Sequence, residues 1–178
     1  APARQKIIEN ALRDFRLGGA ELVSPERERY AEIQDRLAHL SQQFSEHVLD
    51  ATNAYELVIT DRERLEGLPD DAIQAAADLA KAKGRRGWQF SLQFPSYFPI
   101  MQYGRDRALR ETIYRAYATR ASEGASAPET AAARAGLDNT GLIDEILALR
   151  GEEARLLGHR NFAEVSLVAK MAESPRQV

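Results

Sequence analysis

Between Ser24 and Ala54 the chain has no glycine and no proline after Pro25. Across that stretch Tyr30, Ile33, Leu37, Leu40, Phe44, Val48 and Ala51 recur at spacings of three and four. Such spacing puts them on one face of a helix. Ser24-Pro25-Glu26 supplies a start signal, because Ser can cap free N–H groups and Pro suits the first helical position. The pattern predicts one helix over 25–54, about 45 Å long. Its stripe reads as an antiparallel coiled-coil seam. A chain carrying this element is committed to a mainly α fold with long antiparallel helices.

The rest of the chain is read against that helix. A first helix is predicted over 4–16, with Ile7, Ile8, Ala11, Leu12 and Phe15 on one face and a stop at Gly18-Gly19. Tyr55 to Thr60 is β-branched and aromatic and reads as a strand. Asp61 caps a short turn ending at Gly67, and an alanine-rich helix follows over 71–83, closed by Gly84. Trp88 to Phe94 alternates large apolar and polar residues, the pattern of a half-buried strand. Pro95 and Pro99 are expected to end it around an aromatic turn at Ser96-Tyr97-Phe98. Strands at 55–60 and 88–94 should pair as a small β-ribbon, because a lone strand leaves its backbone unpaired. Asp106 caps a helix over 107–121, with Leu109, Ile113, Ala116 and Tyr117 inward. The segment 122–135 is small and polar and reads as a mobile loop. A helix from Asn139-Thr140 stops at Gly158. Asn161 and Glu164 have the spacing of a capping box for a last helix reaching Ala172. No internal repeat is present, and 1–178 reads as a single helical region.

Composition narrows the chemistry. Hydrophobic residues make up 44% and charged residues 29%, with a formal net charge of -3. A nucleic-acid or anionic-membrane binder would normally carry a basic surplus, so neither partner is expected. The absence of cysteine excludes a disulfide scaffold, a thiolate metal site and a cysteine nucleophile, and fits a reducing compartment. No apolar run approaches the roughly 20 residues of a membrane span. APARQKIIENALRDF, at the start, lacks the apolar core of a signal peptide.

The candidates for reacting groups are few. There are three histidines, His39, His47 and His159. The first two share the long helix, but eight residues place them about 80° apart around it and about 12 Å along it. They cannot chelate one ion, and no His-Glu dipeptide offers an HExxH arrangement. Asp70-Asp71 sits at a helix start, where the dipole favours negative charge. Glu152-Glu153 is placed on the polar face of its helix. Lys81, Lys83, Arg85 and Arg86 with Trp88 form the one basic cluster, readable as a phosphate site beside a stacking ring or as an ordinary helix C-terminus and turn. Phosphate-loop, dinucleotide and nucleophile-elbow motifs are absent. The sequence therefore assigns no catalytic residue and no metal ligand, and leaves substrate-binding residues unassigned.

An ordered set of short segments adds a resemblance. Glu9-Asn10-Ala11-Leu12-Arg13-Asp14-Phe15, Val48-Leu49-Asp50-Ala51-Thr52, Pro95-Ser96-Tyr97 and Tyr114-Arg115-Ala116-Tyr117 are followed by Ile146-Leu147-Ala148-Leu149-Arg150, Leu156-Leu157-Gly158, Asn161-Phe162-Ala163 and Lys170-Met171-Ala172. Collinear along the whole chain, they resemble the thimet-oligopeptidase family of HExxH zinc metallopeptidases, its bacterial branch above all. The loop from Glu123 to Gly136 departs from that pattern by its length and alanine content.

The resemblance implies a longer parent: two helical lobes beside a deep channel, a zinc ion bound downstream, and hydrolysis of short peptides by a cytoplasmic enzyme. Ser174-Pro175 repeats the helix-start signal three residues before the last residue. The expectation is a non-catalytic, N-terminal-side fragment that supplies scaffold and channel wall, holds no zinc and is inactive alone. It is also expected to self-associate through apolar surface, with the Tyr30, Ile33, Leu37 and Phe44 stripe as the site. The alternative is a free-standing helical interaction module whose binding face is the long helix.

Overall fold

The computed structural model describes residues 2–122 and 136–178. Among them are seven α-helices: α1 (Pro2–Leu17), α2 (Glu26–Ala54), α3 (Asp70–Ala82), α4 (Phe94–Tyr103), α5 (Arg107–Ala118), α6 (Thr140–Leu156) and α7 (Phe162–Leu167). Two short strands, β1 (Leu57–Ile59) and β2 (Trp88–Phe90), pair antiparallel with Leu57 opposite Phe90 and Ile59 opposite Trp88. The chain is mainly α, as the α2 stripe requires. The predicted loop over 122–135 lies outside the described residues except for Ser122.

The chain divides into two compact units: Ala1–Gln43 with Gly141–Val178, and Phe44–Thr140. In the first unit α2 begins one residue after Pro25 and buries Ile33 and Leu40 completely. Arg29 donates through two nitrogens to both carboxylate oxygens of Glu152, at 2.7 and 2.8 Å. Arg36 grips Glu145 in the same way, at 2.6 and 2.8 Å. Partners that advance along α2 retreat along α6, so these helices run antiparallel, as expected. The fork-to-carboxylate geometry fixes their register more firmly than a single-point ion pair could. These bonds hold the carboxyls of Glu152 and Glu145 below their ordinary range.

The first unit buries little else. Leu22 and Ala154 are covered, but α1 has no buried residue. The stripe predicted for α1 exists and faces outward: Ile7, Ile8, Leu12 and Phe15 are each more than half exposed. By contrast, the α2 stripe expected to offer a sticky surface is mostly spent. Ile33 is fully buried, and Tyr30 donates its hydroxyl to the Leu17 carbonyl at 2.8 Å. Two other expectations are corrected here. Glu153 is buried, not on the polar face, while its neighbour Glu152 holds the ion pair. The last helix stops at Leu167 and not at Ala172. A helix needs a covered face to persist. Beyond Leu167 the chain has none: Met171 is almost wholly exposed, and only tight turns remain. The capping box at its start is also shifted: Asn161 accepts from the Glu164 N–H, but Glu164 reaches the Arg160 N–H.

The second unit contains a conventional core. Tyr55, Ile59, Leu65, Leu68, Phe90, Leu92, Ile100, Leu109 and Ile113 form its centre. Asp61 caps the short 3-10 turn over Arg62–Leu65, as predicted. The two strands pair as expected but are each three residues long, shorter than 55–60 and 88–94. Alternation breaks at Gln89 and again at Phe94. Leu92 stays buried, Gln89 is buried as well, and Phe94 turns outward to stack on Phe98 at 4.9 Å. The expected aromatic turn is instead the body of α4. Pro95 is tolerated because the first helical turn has no use for its missing N–H. The aromatic residues then find partners, with Tyr97 stacked on Tyr117 at 4.2 Å.

At the entrance to β2, Gly87 has φ of 96°, and an added Cβ would lie 2.2 Å from the Ile59 carbonyl oxygen. Gly84 is also left-handed, at φ of 66°, but open space surrounds it. The two therefore separate backbone strain from a clash. Gly84→Ala should lose about 1 kcal/mol in urea unfolding, and Gly87→Ala clearly more. Equal losses would show that the strand entrance yields to the added methyl group.

Asp106 starts α5 by accepting from the N–H groups of Ala108 and Leu109 at 2.9 and 3.1 Å. It also accepts from Arg64 at 2.7 Å, the largest reason its carboxyl sits below its usual range. A depressed folded pKa gives stability that is complete above the ordinary carboxylate range and lost as pH falls through the folded value. Asp106→Ala should cost about 1 kcal/mol at pH 7. Asp106→Asn should retain most of the cap and flatten the decline in melting temperature between neutral and acid pH. An unchanged acid profile in the Asn variant would remove Asp106 from that linkage.

Candidate functional site

The three histidines, the first places to look for metal chemistry, are engaged separately. In the second unit, His47 Nδ1 lies 2.8 Å from Asn139 Oδ1. Asn139 donates its amide to the Phe44 carbonyl at 3.1 Å, which leaves the oxygen facing the ring. His47 is thus the donor, and this bond fixes its tautomer. In the first unit, His39 is exposed beside the Arg36–Glu145 pair, where the Arg36 hydrogen bond is the main cause of the lowered Glu145 carboxyl. His159 donates its backbone N–H to Ala154 and borders a hollow of about 410 Å³ with Arg13, Arg16, Leu17, Glu21 and Leu157.

Among the described residues no three His, Cys, Asp or Glu side chains converge as a metal site. The donor set does not fit zinc, which takes three or four closely grouped ligands. No reaction step is assigned through a metal on these residues. The carboxylate pairs separate as well: Asp70 and Asp71 occupy the first turn of α3, and Glu152 is held by Arg29.

Half of the basic cluster before β2 is paired within the chain. Lys83 and Arg85 both contact Glu56, and Lys83 is the largest cause of that carboxyl being held below its ordinary range. Arg62, from outside the cluster, lies over the Trp88 ring at 5.8 Å. The positive charge at 83 and 85 is thus answered, and the indole face already has a cation.

A surface the sequence reading passed over lies on α4 and α5. Met101, Arg107, Arg110, Glu111, Tyr114 and Arg115 line a shallow hollow of about 590 Å³. The signal was present as arginines at positions 107 and 110, directly after the Asp106 cap. The inward stripe of 107–121 carries no information about the outer face of that helix. No helix among the described residues is long and apolar enough to cross a membrane.

The geometry thus offers helical scaffold and surfaces without an assembled reacting centre, and sequence relatives give it a context. Residues 100–178 match the family model described as Peptidase family M3. Oligopeptidase A of Haemophilus influenzae is 50% identical over 177 residues, covering 99% of this chain and 25% of that protein. Oligopeptidase A of Escherichia coli is 46% identical over the same share of each. Saccharolysin of Saccharomyces cerevisiae is 25% identical over 97% of this chain and 22% of its own length. The chain spans about a quarter of the curated relatives it matches; over nearly its whole length it is similar to oligopeptidase A, and over residues 100–178 to peptidase family M3.

Proposed function

We propose that this chain is the helical scaffold portion of an oligopeptidase that hydrolyses short peptides within a deep channel. It would belong to the non-catalytic, N-terminal-side part of a two-lobed enzyme. The observation that carries this is the 50% identity to an oligopeptidase A across 99% of the chain. The zinc and general base of such an enzyme would come from the rest of the polypeptide. There the metal would polarise the scissile carbonyl and acidify water. Residues here would form wall and support. The separate engagement of His39, His47 and His159 supports that division of labour. A cytoplasmic location belongs to the same proposal, supported by the cysteine-free composition.

Two expected outcomes test the reading. The full-length gene product containing this sequence should cleave a quenched fluorescent oligopeptide and lose that activity to a chelator. The isolated 178-residue chain should show no cleavage. A full-length product without peptidase activity would overturn the assignment, and repurified isolated chain that cleaves would overturn the scaffold role.

Self-association of the isolated chain is the second part. Four large apolar side chains on α1 stand in solvent, and exposed clusters of this kind find partners. Light scattering of the isolated chain over a concentration series should show mass above the monomer, and Leu12→Glu should restore the monomer. A folded monomer at millimolar concentration would exclude α1 as an adhesive face.

A further inference from the structure

The α4–α5 hollow is built against local electrostatic preference. Arg107 and Arg110 occupy the first turn of α5, where the helix dipole is positive and cations are disfavoured. They are also three residues apart on one helix, so they repel each other. Neither finds a carboxylate among the described residues. Arg107 is exposed and has no hydrogen-bond or ion-pair partner there. Arg110 is half-buried and donates to the Gly104 and Arg105 carbonyls. Nearby carboxylates are committed elsewhere: Asp106 to Arg64, Glu66 to Arg105, and Glu111 to Arg115. Among the described residues, a chain of net charge -3 therefore keeps two guanidinium groups side by side without a carboxylate partner.

The same hollow exposes apolar and aromatic surface. Tyr114, one turn beyond Arg110, is 54% exposed, and Met101 lines the floor. Arg110 is pre-positioned by its two carbonyls, so little side-chain freedom remains to be lost when an acceptor arrives. A planar guanidinium donates two parallel hydrogen bonds to a carboxylate, and a tyrosine ring and a thioether suit an apolar neighbour. Residues that oppose local stability without internal compensation are expected where a ligand supplies the missing charge.

We propose that the Arg107–Arg110–Tyr114 face of α5 is a docking surface for an acidic peptide segment, with carboxylate side chains on the arginines and an adjacent apolar residue against Tyr114 and Met101. This goes beyond the scaffold reading and does not depend on hydrolysis, since binding is measured directly.

The test is fluorescence anisotropy of the purified chain with a rhodamine-labelled decapeptide rich in Glu and Leu, and with the same peptide carrying Gln for Glu. The acidic peptide should bind at least tenfold more tightly, and its affinity should fall as salt rises. Arg107→Gln, at an exposed position with no partner among the described residues, should weaken it about fivefold with a melting temperature that does not fall. Arg107→Gln with Arg110→Gln should weaken it further, and Arg4→Gln on α1 should have no effect. Binding too weak to detect at millimolar chain, equal binding of the Glu and Gln peptides, or an affinity indifferent to Arg107→Gln overturns the proposal. Tighter binding of polyuridylate than of the acidic peptide would overturn it in favour of nucleic acid.

Discussion

Asn139 makes bonds to three places in the second unit from a position that is 1% exposed. Its backbone N–H donates to Ala121 at 3.0 Å, its amide to Phe44 at 3.1 Å, and its side-chain oxygen accepts from His47 at 2.8 Å. Asn139, the residue before α6, thus ties the C-terminal part of α2 to the chain just beyond α5. Burying an amide is costly unless its donors and acceptor are used. Here the backbone N–H, the amide nitrogen and the side-chain oxygen each have a partner, so pulling these segments apart would strand a buried polar group. His47 is explained by the same site: it satisfies an acceptor in the interior.

The two units solve burial differently. The second closes a core of large side chains around β1, β2, α3, α4 and α5. The first covers few side chains fully and relies on bidentate arginine–carboxylate pairs for the register of α2 against α6. Those pairs are partly solvated, so they specify alignment more than they add stability. Apolar surface on α1 is left uncovered. A polypeptide about four times longer, as in the bacterial relatives, would have ample chain to cover it.

Long periodic segments were legible because their pattern is local. The α2 stripe, the Asp61 and Asp106 caps and the inward face of α5 could all be read from spacing. What could not be read depended on neighbours distant in sequence. The strand expected at 88–94 keeps only Trp88–Phe90, and the aromatic turn expected at 96–98 is helix, where Tyr97 stacks on Tyr117; no alternation pattern records that pairing. The last helix ended early for want of a covering surface. Glu153 looked polar by helical position but is buried in the first unit. In the candidate functional regions, the isolation of the histidines was legible from spacing. The unanswered charge of Arg107 and Arg110 was not, because it shows only once every nearby carboxylate has been matched to another partner.

The central proposal is that this chain supports an oligopeptidase without contributing a reacting group. In the full-length gene product, His39→Gln, His47→Gln and His159→Gln together would remove every imidazole in this region. Zinc content and peptide cleavage, both measured per folded molecule, are the direct readout. The account predicts one bound zinc and near-normal turnover in the variant. Loss of the metal, or a fall in turnover of a hundredfold or more with the fold intact, would place reacting groups inside this chain and contradict the account.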